Sequence, residues 1–144
     1  MSYTTQADMT ERFGADELAQ RTNRADGLTI DATVLARALS DADAEIDGYL
    51  ATRYALPLPS TPPVLNRLAC DMARYRLYDD GVPETVRVRY QDAVSLLKRM
   101  ASGEVQLAGI TPVAVSGGSG NAVATRTEAK VFDAVALSGY CPWT

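Results

Sequence analysis

Four acids at alternate positions, Asp41-x-Asp43-x-Glu45-x-Asp47, form a run in which oxygen ligands are spaced as a hard cation would use them. An EF-hand loop starting at Asp41 needs glycine at its sixth position and glutamate at its twelfth, where the chain has Ile46 and Thr52. The run is therefore expected to be a solvated acidic helix face, with a partner's basic surface as the alternative. Arg74, Arg76, Arg87, Arg89, Lys98 and Arg99 form a basic counterpart that could touch phosphates, but no recognition helix or aromatic platform accompanies them. Pairing with the acidic helix, inside one subunit or between subunits, is the expectation. Tyr75, Tyr78 and Tyr90 read as core-edge residues with wet hydroxyls, not as a ligand box. Gly117, Gly118 and Gly120 neither follow a strand nor open a helix with a lysine, so they do not make a phosphate-cradling loop.

The chain has no histidine, which removes the commonest general base and the commonest metal ligand. The remaining Asp, Glu, Tyr, Lys and Cys residues show no convergent spacing. No catalytic, cofactor-binding or metal-binding residue is assigned, no cofactor is expected, and the chain is not expected to be an enzyme. Cys70 and Cys141 read as reduced thiols of a cytosolic context.

These residues must be positioned by a chain of 144 residues, 47% hydrophobic and 22% charged, which suits one ordinary globular domain. No apolar run approaches the roughly 20 residues that cross a bilayer, and the first ten residues lack the basic-then-apolar order of a secretory signal, so neither membrane insertion nor export is expected. The net charge of −4 argues against broad nucleic-acid affinity. It conceals an asymmetry. Residues 1–50 carry ten acids and four bases, net −6, whereas residues 51–103 carry eight bases and five acids, net +3.

The pattern predicts an all-α protein, a small bundle of about four helices with an extended, partly β C-terminal arm. Thr5 is a plausible N-cap for residues 6–13, Gly14 a break, and residues 15–22 a second short helical piece, together a hook. Asp31 can cap a long helix over residues 32–54, whose Leu35, Leu39, Ala42, Ile46, Tyr49 and Leu50 follow steps of three and four. Gly48 there suggests the close approach of a neighbouring backbone. Pro57, Pro59, Pro62 and Pro63 interrupt. Thr61 and Pro62 read as N-cap and first residue of a helix to about Tyr78, with Leu65, Leu68, Ala69, Met72 and Ala73 inward. Pro83 opens the last helix, with Val86, Tyr90, Ala93, Val94, Leu97 and Met100 in phase and Gly103 as its stop.

Beyond Glu104, Val105, Leu107 and Ile110 alternate like a short strand, and residues 116–120 are a Gly/Ser linker by composition. The division expected is a helical domain over residues 1–110 and a linker with a partner-binding arm over residues 111–144. Val131, Phe132, Val135, Leu137, Tyr140 and Trp143 make residues 129–143 too apolar for a solvated tail. Phe132, Leu137, Tyr140 and Trp143 are the expected partner-binding anchors.

Three segments together resemble the small head-tail connector (adaptor, or head-completion) proteins of Mu-like tailed bacteriophages. The first is Tyr3-Thr4-Thr5-Gln6-x-Asp8-Met9, continued by Arg12-Phe13-Gly14 and Glu17-Leu18-x-Gln20. The second is Glu45-Ile46-Asp47-Gly48-Tyr49-Leu50 with Arg53-Tyr54-x-Leu56-Pro57-Leu58. The third joins Asp71-Met72-Ala73-Arg74-Tyr75-x-Leu77-Tyr78-Asp79 to Arg89-Tyr90-x-Asp92-Ala93 and Ala101-x-Gly103-Glu104-Val105. The likeness covers about residues 3–110; beyond it, Lys130-Val131-Phe132 and Leu137-x-Gly139-Tyr140 are similar only loosely.

The resemblance implies a structural virion protein made in the host cytoplasm. It would form a homo-oligomeric ring, twelve-fold in related connectors, in the neck beneath the portal protein. That ring would join the DNA-filled capsid to the next neck or tail-completion protein, with genomic DNA passing through it unread and no membrane involved. A DNA-binding regulatory module of phage origin is the alternative, and it predicts salt-sensitive duplex binding by the isolated chain.

Overall fold

Helices in this protein begin where short polar side chains or prolines can manage free amides. The computed structural model describes residues 2–79 and 81–113, and the first compact unit runs Met1–Ala114. Among the described residues there are five α-helices and no strand. α1 (Gln6–Phe13) is closed by a reciprocal capping box: the Asp8 amide donates to Thr5 Oγ1 (3.3 Å) and the Thr5 amide donates to Asp8 Oδ2 (2.8 Å). Such a cap contributes about 1 kcal/mol. The same Thr5 hydrogen bonds hold the Asp8 carboxyl below its ordinary value. Gly14 then takes φ of +88°, a conformation that L side chains rarely adopt, and α2 (Ala15–Thr22) starts directly behind it.

α3 (Ala32–Leu50) is capped by Asp31, whose Oδ1 accepts from the amides of Thr33 (2.8 Å) and Val34 (3.2 Å). Its buried stripe is Leu35, Ala38, Ala42, Ile46 and Leu50. The helix stops at Leu50, four residues before the expected end. The chain tightens there, with the amides of Arg53 and Tyr54 both donating to the Leu50 carbonyl, and Tyr54 and Leu58 turn into the core. Among the described residues nothing lies within 4 Å of where a Gly48 side chain would begin, so the expected close approach of a neighbouring backbone is not found there. α4 (Pro63–Arg76) has Pro62 and not Thr61 at its N-cap, because the extended ψ of Pro62 (143°) leaves only its carbonyl to accept from Leu65 (2.9 Å) and Asn66 (3.4 Å). α5 (Glu84–Ser102) follows Pro83 and ends at Gly103 with φ of +85°. That positive φ favours glycine, and the Arg53 guanidinium lies over the position, where a methyl group would displace it.

α3, α4 and α5 pack on one another in pairs, α1 packs on α2, and α2 on α3. α4 is the central element: Leu65, Leu68, Ala69, Cys70, Met72 and Ala73 are all buried, which its run of small and apolar residues allows. Val105, Leu107 and Ile110 do not form the expected strand. They follow α5 as turns in which the Val105 amide returns to the Arg99 carbonyl (3.1 Å) and the Ile110 amide to the Leu107 carbonyl (3.3 Å). Leu107 and Ile110 bury their side chains in the core, and Val105 packs against it. The alternation was the mark of a segment laid along the bundle, with no partner strand to pair with. Among the described residues, no helix is long and apolar enough to cross a membrane.

Candidate partner-binding site

The four expected anchors, Phe132, Leu137, Tyr140 and Trp143, lie outside the described residues, as do the linker at 116–120 and Cys141. The root of that arm is described. The Arg53-Tyr54 pair at the end of α3 holds it: Tyr54 Oη accepts from the Leu107 amide (3.1 Å), and the Arg53 carbonyl accepts from the Val113 amide (2.9 Å). The last described residues therefore lie beside the connection from α3 to α4.

The acidic run departs from the solvated face that its spacing suggested. Only Asp41 and Ala44 of residues 41–46 are exposed. Asp43 is 9% exposed and accepts the Tyr3 amide (3.1 Å); burial raises its carboxyl above the ordinary value. Asp47 accepts the Tyr3 hydroxyl. Glu45 binds Arg76 (2.5 Å) with one oxygen and the Tyr90 hydroxyl (2.9 Å) with the other. A signal for Asp43 was present in the sequence, because it stands four residues after Leu39 and three before Ile46, in phase with the buried stripe. A carboxylate there must find donors, and the donor came from 40 residues away.

Residues 2–5 lie as an extended strap across α3 and α4. Tyr3 and Thr4 are each 2% exposed. The Tyr3 carbonyl accepts from Asn66 Nδ2 (3.1 Å), and Thr4 Oγ1 meets Cys70 Sγ at 2.9 Å. Burial pushes the Cys70 thiol up, so it stays protonated and packs as a small hydrophobe.

Of the basic residues, Arg76 alone pairs with the acidic run of α3 among the described residues. Arg74 makes a bidentate pair with Glu17 on α2 (2.7 and 3.0 Å) and covers the Phe13 ring. Arg87 pairs with Glu84, and Arg99 with Glu104. The tyrosines sit at the core edge as expected, but not all of their hydroxyls face water. Tyr78 donates to Glu17 (3.0 Å), while Tyr75 and Tyr90 stack at 4.2 Å. Burial, and after it Glu45, push the Tyr90 hydroxyl up to about 12. No group of three or more His, Cys, Asp or Glu among the described residues could hold a metal.

An open groove of about 500 Å3 lies between α1, α4 and α5. Arg12, Arg67 and Arg89 line it with Asp71 and Asp92, and Phe13, Leu68 and Ala93 supply its apolar surface. The Asp71 side chain is only 15% exposed, with Arg89 at 3.9 Å. Burial raises its carboxyl above the ordinary 3.8 despite the arginines around it. The folded protein thus holds the Asp71 proton more tightly than the unfolded chain, and this group's contribution to stability is largest in acid and is lost as pH rises through the raised value. Asp71→Asn is expected to gain in stability relative to the parent as pH rises from the ordinary value toward neutrality. Urea midpoints of both proteins at acid and neutral pH check this; a relative loss would mean that Arg89 outweighs burial.

The family model described as "Bacteriophage Mu, Gp36" matches residues 3–125. The Mu-like prophage FluMu protein gp36 of Haemophilus influenzae is 33% identical over 105 residues, covering 73% of this chain and 74% of that protein. Gene product J of Escherichia phage Mu is 38% identical over 106 residues, covering 72% of this chain and 74% of that protein. The matched stretch takes in all five helices and the Arg53-Tyr54 pair that seats the chain after α5, so this five-helix protein belongs to the bacteriophage Mu gp36 family of phage proteins.

Proposed function

We propose that this chain is a structural virion protein, the head-tail connector that forms a homo-oligomeric ring in the neck between the portal protein and the next neck or tail-completion protein. The observation that carries the reading is the core that the described residues build among themselves. It runs from Tyr3 to Ile110 and takes side chains from all five helices. Phe132, Leu137, Tyr140 and Trp143 follow that stretch in the sequence, and apolar side chains gathered beyond a Gly/Ser-rich linker are suited to another molecule. Membership of a phage family agrees with this.

A non-catalytic role is in keeping with the disposition of the buried ionisable groups. Asp43, Cys70 and Tyr3 are engaged with one another's segments in fastening the strap. Two of the three arginines of α4 weigh against the regulator alternative, since Arg74 and Arg76 are held by Glu17 and Glu45, whereas Arg67 takes no ion pair among the described residues.

The test is the position of the protein in an imaged phage particle, together with a gel shift of the isolated chain on duplex DNA at low salt. Density for a ring of this chain at the neck and no shift are expected. Absence of the protein from mature particles overturns the connector reading, and salt-sensitive duplex binding by the isolated chain favours the regulator.

A further inference from the structure

Five of the eleven arginines among the described residues are seated against carboxylates at close range: Arg74 with Glu17 at 2.7 Å, Arg76 with Glu45 at 2.5 Å, Arg24 with Asp79 at 2.6 Å, Arg99 with Glu104 at 3.0 Å, and Arg87 with Glu84. The groove between α1, α4 and α5 gathers three arginines that have no such close partner among the described residues. Its three guanidinium groups share two carboxylates, the partly buried Asp71 and the exposed Asp92, and the approach of Arg89 to Asp71 is a long 3.9 Å. Arg12 spends one nitrogen on the neutral Asn66 Oδ1 (3.0 Å). Arg67 is exposed and takes no ion pair among the described residues. Like charges have been brought together around Asp71 with donors to spare, and guanidinium forks are shaped to take carboxylates two bonds at a time.

We infer that this groove docks an acidic segment of a partner protein, with a carboxylate side chain among Arg12, Arg67 and Arg89 and a neighbouring apolar side chain against Phe13 and Leu68. Two features select a protein segment over a nucleic-acid backbone. Asp71 and Asp92 stand inside the groove, where they would face the uniform negative charge of a phosphodiester chain. A segment of mixed polarity can place its acids on the arginines and its apolar side chains elsewhere, which is the complementarity that orients protein partners. The apolar lining adds a contribution that a bare inorganic anion cannot use. The site stands independently of the connector reading, because it is a property of the isolated chain.

The experiment measures fluorescence anisotropy of a labelled Leu-Glu-Phe-Glu-Leu-Glu peptide with the full chain at about 50 mM salt, where exposed charges are weakly screened. The glutamine counterpart of the peptide serves as the control. Expected results are saturable binding of the glutamate peptide, at least about tenfold weaker binding of the glutamine peptide, and about tenfold weakening by Arg67→Ala. Arg87→Ala, at an exposed position outside the groove, should leave binding unchanged. Both variants are first shown to keep the parent's helix signal and melting curve, which their exposed positions permit. Equal binding of the two peptides, no effect of Arg67→Ala, or complete displacement of the peptide by low-millimolar inorganic phosphate each overturns the inference. Tighter binding of a short duplex DNA than of the peptide overturns it in favour of nucleic acid.

Discussion

Tyr3→Ala is expected to lower the unfolding free energy by about 3 to 5 kcal/mol, the range for truncating a buried aromatic side chain. That is a large part of the roughly 5 to 15 kcal/mol by which a domain of this kind is stable. The position looks unimportant in the linear chain, two residues after Met1, yet the residue is 2% exposed. Its hydroxyl donates to Asp47, its amide to Asp43, and its carbonyl accepts from Asn66. Removing the ring opens a cavity between α3 and α4 and takes the hydroxyl donor from Asp47. Tyr3→Phe separates the two effects, since it keeps the ring and deletes only the hydroxyl, and about 1 to 2 kcal/mol is expected for it. Urea denaturation followed by far-UV circular dichroism measures both. An equal loss in the two variants would place the whole effect on the Asp47 hydrogen bond. No loss in either would mean that the strap is not part of the cooperative unit.

Deleting residues 116–144 is expected to leave helix content and the urea midpoint of the bundle nearly unchanged while abolishing incorporation into particles. The first half of the expectation follows from the core, whose described members end at Ile110, and from the Val113 amide, which closes on Arg53 before the deletion begins. The second follows from the proposed role of the arm. Interfaces concentrate their energy in a few aromatic and large apolar anchors, and losing one such anchor weakens binding by about 2 kcal/mol or more, roughly thirtyfold. Phe132→Ala and Trp143→Ala should therefore each reduce incorporation strongly without moving the melting curve. Complementation of a defective phage, scored by the protein content of purified particles, checks this. Full incorporation of the truncated form would remove the arm from the mechanism and leave the bundle, with its arginine groove, as the binding surface.

The parts of the molecule that were legible in the linear chain are those governed by neighbours in sequence. Thr5 and Asp31 announced helix starts because a short polar side chain can reach amides two and three residues on. Gly14 and Gly103 announced breaks because both take positive φ. Most inward positions of α3, α4 and α5 were readable because a helix repeats every three to four positions, but Leu39, Tyr49, Tyr90 and Val94 are only partly buried and Ala38 and Cys70 joined the core unannounced. The ends of α3 and α4 were misplaced for the complementary reason. Tyr54 leaves its helix to meet Leu107, and Pro62 displaces Thr61 at the cap through the geometry of two adjacent prolines.

The acidic run shows the limit most clearly. Spacing alone placed Asp41, Asp43, Glu45 and Asp47 on a helix and made them look like one solvated patch. Two of them instead fasten Tyr3, and a third is clamped between Arg76 and Tyr90. The arginine groove was equally hidden, since its lining comes from α1, α4 and α5. The sequence by itself determined an all-α bundle, most of its inward positions and the glycine stops at Gly14 and Gly103, all set by hydrogen bonds and periodicity within a few residues. Only the tertiary structure decided which charges were neutralised and which stayed free. The cost of a buried charge depends on donors brought from 31 to 45 positions away, and no local pattern records that distance.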